Sequence, residues 1–164
     1  MLSETIIQKT IAQAKERNIP VIVDPKGTQY GKYRHATLIT PNYSEFCLAC
    51  KTHPKNESQI HQKAIQLKKR LHLHSLLITR SEKGMSIIDE SNAKKDIPTR
   101  AKEVFDITGA GDTVIATITL CLAAGWTIEE ACHFANYAAG IVVGKVGTST
   151  TQIPEIVAAI ENEK

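Results

Sequence analysis

Residues 106–113 read Asp-Ile-Thr-Gly-Ala-Gly-Asp-Thr and run into an apolar stretch that continues to Ala124. A helix starting here presents free backbone N–H groups and the positive end of its dipole, an arrangement that favours a bound anion. Gly109 and Gly111 carry no side chain, so a phosphate can approach the peptide N–H groups of the Gly109-Ala110-Gly111 turn closely. Asp112 is placed to accept the proton of an attacking hydroxyl. Together these residues have the makings of a phosphoryl-transfer site. Taken alone, the same four residues also suit a glycine turn into a buried helix, with Asp112 as an ordinary first-turn acid.

Other residues invite a similar double reading. Asn42 and Glu45 have the spacing of a helix cap and its capping-box partner around Tyr43-Ser44. Thr79, Ser81 and Gly84 follow an apolar run and suit a strand-to-strand turn. Asn136, Ala139, Gly140 and Val143 fall on one helical face, the usual mark of tight helix packing. Asp106 and Thr108 suit a loop anchored by side-chain hydrogen bonds. Lys26, after an Asp-Pro turn, reads as a solvated lysine. Cys47 and Cys50 form a C-x-x-C without a second pair at zinc spacing, so packing thiols are expected. His72 and His74 lack a nameable third ligand and read as surface histidines.

Positioning these groups falls to alternating helices and strands joined by short turns, the pattern of an α/β layer fold. Ile7, Ile11 and Ala14 recur at helical spacing between a cap at Ser3 and a stop at Asn18-Ile19-Pro20. Val21-Ile22-Val23 and Thr37-Leu38-Ile39 read as short buried strands, and residues 43–50 as a short helix. Ile60, Ala64, Leu67 and Leu71 stripe the next helix, which leads into a strand over 75–79. Residues 85–88 and 94–97 read as a strand pair around Asp89-Glu90-Ser91-Asn92, an antiparallel addition. The helix from Thr113 to Ala124 is apolar on nearly every side and is expected to be central and buried. Thr127 and Glu130 begin a further helix with a capping box, its alanines set to pair it with the previous one. A last amphipathic helix covers 153–160.

The chain has 164 residues, 42% hydrophobic and 23% charged, which is enough for one sizeable core. A net charge of +3, dispersed basic residues and 5% aromatic content argue against a nucleic-acid surface. No apolar run is long enough to span a bilayer, so neither membrane anchor nor signal peptide is expected. Four cysteines without a dense framework suggest reduced thiols and a cytoplasmic compartment. The dehydrogenase pattern fails for want of a third glycine, and no P-loop G-x-x-x-x-G-K-[ST] occurs.

The segment 106–112 resembles the D-x-x-G-A-G-D signature of the ribokinase-like (PfkB) carbohydrate kinases. Val23-Asp24-Pro25-Lys26-Gly27, Thr40-Pro41-Asn42-Tyr43-Ser44-Glu45 and Thr79-Arg80-Ser81-Glu82-Lys83-Gly84 follow in the family's order. The phrases VDPKG, TPNYSEF, FDITGAGDTVIA and ANYAAGIVVGKVGTST resemble its D-glycero-β-D-manno-heptose 7-phosphate kinase branch most.

The resemblance implies the C-terminal half of a ribokinase-like three-layer α/β fold, with residues 1–164 as the nucleotide-binding and catalytic part and a mostly parallel sheet. The N-terminal sugar-binding strands and lid have no counterpart here. It implies Asp112 as catalytic base beside an anion hole of Gly109, Ala110 and Gly111. ATP with Mg²⁺ would engage Asn42, Tyr43, Ser44, Glu45, Thr79, Ser81, Gly84, Asn136, Ala139, Gly140 and Val143, with Asn42 and Glu45 holding Mg²⁺ through water. Asp106 and Thr108, with carbonyls around Gly147, match an optional K⁺ site. Ser81 departs from the family, replacing a frequent glycine. The implied partners are a sugar phosphate and the missing N-terminal half or another chain at the exposed sheet edge, with a homo-oligomer also allowed. Another sugar or nucleoside kinase is the first alternative, and a non-catalytic partner-binding half-domain the second.

Overall fold

The computed structural model describes residues 3–101 and 103–163. Six α-helices and five strands are found there: α1 (Glu4–Glu16), β1 (Ile22–Val23), β2 (Leu38–Ile39), α2 (Tyr43–Cys50), α3 (Glu57–Leu71), β3 (Ser75–Thr79), β4 (Met85–Ile88), β5 (Lys94–Ile97), α4 (Ala110–Ala123), α5 (Ile128–Val143) and α6 (Ile153–Glu161). Short 3₁₀ turns at Tyr30–Tyr33 and Ser81–Lys83 have no clear signal in the sequence. None of the described helices is long and apolar enough to cross a membrane.

Local chemistry explains most helix boundaries. The Ser3 hydroxyl accepts the Ile6 N–H, and Asn56 does the same for Gln59 at the start of α3. Both α2 and α5 begin with full capping boxes, Asn42–Glu45 and Thr127–Glu130. Lys51 and His72 end α2 and α3 in the left-handed conformation, at φ 52° in each case.

The sheet runs in the order β1-β2-β3-β4-β5. β1, β2 and β3 are parallel, Ile22 facing Leu38 and Leu38 facing Ser75. The connections from β3 to β4 and from β4 to β5 are too short for a parallel crossover. They make the antiparallel addition, closed at its far turn by the Asp89 N–H donating to the Ala93 carbonyl at 3.0 Å. A mixed sheet with a parallel body therefore matches the expected class.

The chain divides into two compact units. The first runs to Arg80 and includes Ser86–Asp96. Its core joins Ile11 of α1, Phe46 and Cys47 of α2, and Ile60, Ala64, Leu67 and Leu71 of α3 to Ile39, Leu76, Ile78 and Ile88 of the sheet. Lys68, only 5% exposed, is tied into this unit by its ammonium, which donates to the carbonyls of Asp89 and Glu90 and to Asn92 Oδ1.

The second unit holds Ser81–Met85 and the chain from Ile97 on. Here α4 and α5 pack along each other, and α6 packs on α5. Ala131, Ala135 and Ala138 are fully buried, which permits the close approach of these helices. One expectation is corrected. α4 is not buried on all sides: Val114, Ile118 and Cys121 are buried, whereas Leu120 is 56% exposed. A 3.6-residue period gives the helix one stripe against α5, and its other apolar side chains stay in contact with solvent in this chain.

Candidate functional site

In the second unit, Gly109 is the N-cap of α4 and sits at φ 82°, a conformation that costs any residue with a side chain. No side chain caps this helix. The Thr113 N–H begins the helical ladder on the Gly109 carbonyl, and the Ala110 N–H donates to the Ile107 carbonyl at 3.2 Å. Of the expected anion hole, Ala110 thus has its amide engaged, and Gly111 and Asp112 occupy the first-turn positions whose amides a helix leaves open.

Gly111 supplies the more telling observation. A Cβ at Gly111 or at Gly109 would meet no atom within 4 Å. Glycine inside a helix costs about 1 kcal/mol relative to alanine, and no packing constraint requires it at 111. What its absence of side chain does is keep the helix terminus accessible, beside an exposed Asp112.

Asp106 precedes this turn. Its carboxylate accepts the Thr108 N–H at 2.8 Å, and hydrogen bonds from Thr108 hold its carboxyl below the usual range. The Gly147 carbonyl accepts the Ser149 hydroxyl at 3.2 Å. On α5, Asn136 is buried, and its amide donates to the Pro98 carbonyl at 2.7 Å. A Cβ on Gly140 would lie 3.0 Å from the Arg100 carbonyl carbon, and the Val143 carbonyl accepts the N–H groups of Phe105 and Asp106. This face of α5 therefore braces the segment that leads into the glycine turn, with Ala139 half-buried beside it.

Gly84 is the other constrained glycine. At φ 76°, its Cβ position lies 2.1 Å from the Ile97 carbonyl oxygen, so only glycine fits. Ser81 adopts φ 52°, which explains physically why glycine suits that position: the left-handed conformation persists although a serine occupies it.

In the first unit, the candidates gather at the carboxyl ends of the three parallel strands, where open α/β sheets place their ligands. The Asn42 side chain accepts the Glu45 N–H at 2.9 Å, and Glu45 Oε2 accepts the Asn42 N–H at 2.9 Å. Thr79 at the end of β3 forms a parallel bridge with Asn42, its N–H donating to the Pro41 carbonyl. Tyr43 turns away from this edge, its hydroxyl donating to the Pro54 carbonyl, and burial pushes its phenol up. Ser44 is exposed on the first turn of α2.

Lys26 is not simply solvated. Its ammonium lies 2.8 Å from Asp24 Oδ2 and 3.7 Å from Glu45 Oε1. Asp24, at the end of β1, is a residue the sequence pattern left unassigned. Its position directly before a turn at a strand's carboxyl end was the available signal. Asp24 and Glu45 thus both face the Lys26 ammonium, and their carboxylates are oxygen donors of the type a hydrated Mg²⁺ takes.

Elsewhere, Cys47 and Cys50 are free thiols, burial pushing Cys50 up to about 11, and the described residues contain no group of three His, Cys, Asp or Glu suited to a metal. His72 stacks on His35 at 4.9 Å, and both line a cavity of about 540 Å³ with Lys15, Pro20 and His74. That cavity sits at the opposite, amino-terminal ends of the strands, away from Asn42 and Thr79.

Residues 1–156 match the model of the pfkB family of carbohydrate kinases. The chain belongs to this family. Among curated relatives, it is 55% identical over 155 residues to the bifunctional protein HldE of Histophilus somni, covering 94% of this chain and 32% of that protein. It is 50% identical over 158 residues to the HldE of Aeromonas hydrophila, covering 96% and 33%. Among solved structures, a ribokinase from Arabidopsis thaliana complexed with ribose and ATP superposes with a TM-score of 0.87 at 22% identity, over 97% of this chain and 53% of that one. A Thermotoga maritima ribokinase gives 0.81 at 26% identity, over 95% and 54%. The fold of this family member is ribokinase-like. The chain spans about a third of the length of these curated relatives and about half of the solved ribokinases.

Proposed function

We propose that this chain is the nucleotide-binding and catalytic part of the kinase domain of an ATP-dependent sugar-phosphate kinase, its sugar-binding strands and lid supplied by further polypeptide. The substrate proposed is D-glycero-β-D-manno-heptose 7-phosphate, phosphorylated at C1 to the 1,7-bisphosphate in the cytoplasmic route to ADP-heptose and lipopolysaccharide core. The observation that carries the reading is the uncapped N-terminus of α4, kept open by two glycines beside Asp112. Similarity to the HldE proteins supports the choice of sugar.

In this reading the Asp112 carboxylate accepts the proton of the C1 hydroxyl as its oxygen bonds to the γ-phosphorus. The bond from that phosphorus to the β–γ bridging oxygen breaks, and ADP leaves with the electron pair. The open amides of Gly111 and Asp112 at the start of α4, rather than that of Ala110, stabilise the charge on the transferred group. Asn42, Ser44, Glu45 and Thr79 of the first unit, with Ser81 and Gly84 of the second, are the proposed phosphate-side residues, Tyr43 being turned to Pro54 instead, and Asn136, Ala139, Gly140 and Val143 are the proposed base-side residues. Glu45 and Asn42, joined by Asp24, would hold Mg²⁺, which neutralises phosphate charge when bound. Asp106 and Thr108 are the proposed K⁺ residues.

Val104, Phe105, Ile107 and Val146 are each at least 60% exposed. This favours a second reading, a non-catalytic half-domain that binds a partner through apolar surface. The readings separate in an ADP-release assay with heptose 7-phosphate, ribose and fructose 6-phosphate, using this chain combined with the remaining part of the kinase domain from the Histophilus somni relative. Turnover is expected with the heptose phosphate, and a fall of roughly 10²–10⁴-fold in Asp112→Asn with ATP affinity kept. Turnover of another sugar alone would replace the substrate. Equal rates for wild type and Asp112→Asn would remove the catalytic role.

A further inference from the structure

Arg80 directly follows Thr79 and is the residue at which the β3–β4 connection leaves the sheet. Its side chain is 8% exposed, although it is charged. Two of its nitrogens meet the Glu57 carboxylate in a fork, at 3.0 and 2.5 Å. The same guanidinium donates to Ser86 Oγ at 3.0 Å and lies 3.7 Å from Asp96. Ser86 is fully buried and donates to Asp96 Oδ1 at 2.5 Å. Lys94, with a side chain only 10% exposed, reaches Glu57 at 3.0 Å and pairs with Asp96. Two nearly buried cations are thus balanced by two half-exposed carboxylates drawn from α3 and β5.

An isolated surface pair would carry little meaning. This network differs because it is bidentate, its cations are withdrawn from water, and it closes a specific gap. Arg80 precedes the Ser81–Gly84 connection and Ser86 is the second residue of β4 after it, so their hydrogen bond pinches the neck of the connection. On its other side, the end of β3 is fixed by the Thr79 N–H bond to the Pro41 carbonyl, next to the Asn42–Glu45 box. The carboxyl end of β3 is thereby held from both flanks, and the connection contains two left-handed residues, Ser81 and Gly84. Such backbone needs support from its surroundings.

We propose that Arg80, gripped by Glu57, is a positioning residue that presets the Ser81–Gly84 connection for the nucleotide. The inference rests on the kinase reading above, in which that connection belongs to the phosphate side of the site. Arg80 touches no reacting atom and acts through the backbone that follows it. The fork matters as well as the charge, so lysine is not an adequate substitute.

The test measures ATP affinity by calorimetry on the full chain for wild type, Arg80→Lys, Glu57→Gln and the double variant. Urea midpoints are recorded on the same samples. Lys68→Met serves as the comparison, because it releases the hairpin's far turn and lowers stability without touching the network around Arg80. Each single variant at the clasp is expected to weaken ATP binding roughly 3- to 10-fold, and the double variant to add little, as for two partners of one interaction. Lys68→Met is expected to keep wild-type affinity despite a lower midpoint. Folded Arg80→Lys and Glu57→Gln proteins that bind ATP as wild type does would overturn the positioning role while leaving the kinase reading intact. Loss of affinity in Lys68→Met equal to that in Arg80→Lys would also overturn it, showing stability alone at work. A folded wild-type chain that binds no ATP would defeat the kinase reading itself, and the positioning role with it.

Discussion

Glu45 divides its carboxylate between two tasks, one oxygen accepting the Asn42 N–H and the other facing Lys26. Glutamine can continue the first task, because its amide oxygen still accepts a hydrogen bond, but it cannot offer a charged oxygen to a cation. Glu45→Gln is therefore expected to change the melting temperature little, while raising the Mg²⁺ concentration needed for half-maximal ATP binding or turnover. A metal titration beside a thermal melt checks this, and a lowered melting temperature with an unchanged metal curve would assign Glu45 to the cap alone. Asn42 and Glu45 were legible in the sequence because a capping box is local. The approach of Glu45 to Lys26 and Asp24 was not, since Glu45 lies on α2 and reaches the turn after β1 only when β1 pairs with β2. Arg80 was hidden for the same reason: Glu57, Ser86 and Asp96 lie on three different elements.

At the level of elements, caps and periodicity located the helices and most strands, because those signals lie within one turn or one alternation. The burial of α4 was misjudged, since an apolar helix reports how much surface wants covering but not whether the covering elements belong to the same chain. The β3–β4 connection is sensitive to change at Gly84. In Gly84→Ala, the added Cβ would meet the Ile97 oxygen, Thr99 nitrogen and Pro98 carbon, all backbone atoms, at φ 76°. A loss of more than about 2 kcal/mol in urea unfolding is expected, against about 1 kcal/mol for Gly125→Ala, where the conformation is left-handed but the space is open. The network at this connection also has a pH signature. Hydrogen bonding from Arg80 holds the Glu57 carboxyl down to about 2. A depressed carboxyl contributes stability above its unfolded value, near 4.3, and that contribution is lost as pH falls through about 2. The difference in urea midpoint between wild type and Glu57→Gln is expected to narrow as pH is lowered from about 5 to about 3. Because the Glu57 side chain is 57% exposed, solvent screening keeps this difference small.

For the whole molecule, the central claim is that nucleotide binding resides in this chain while efficient sugar phosphorylation needs more polypeptide than it contains. The chain spans about a third of the length of its HldE relatives. Exposed Val104, Phe105, Ile107 and Val146 fit a surface that further chain would cover. Holding both reactants in line accounts for roughly 7–11 kcal/mol of barrier lowering, so if the sugar-binding strands lie in further polypeptide, as proposed, this chain binds ATP and turns over poorly. The most direct measurement titrates ATP, with Mg²⁺ present, into the purified 164-residue chain by calorimetry and follows heptose 7-phosphate-dependent ADP release on the same sample. The account expects a saturable one-site isotherm with feeble turnover. A folded chain giving no heat of ATP binding would contradict it.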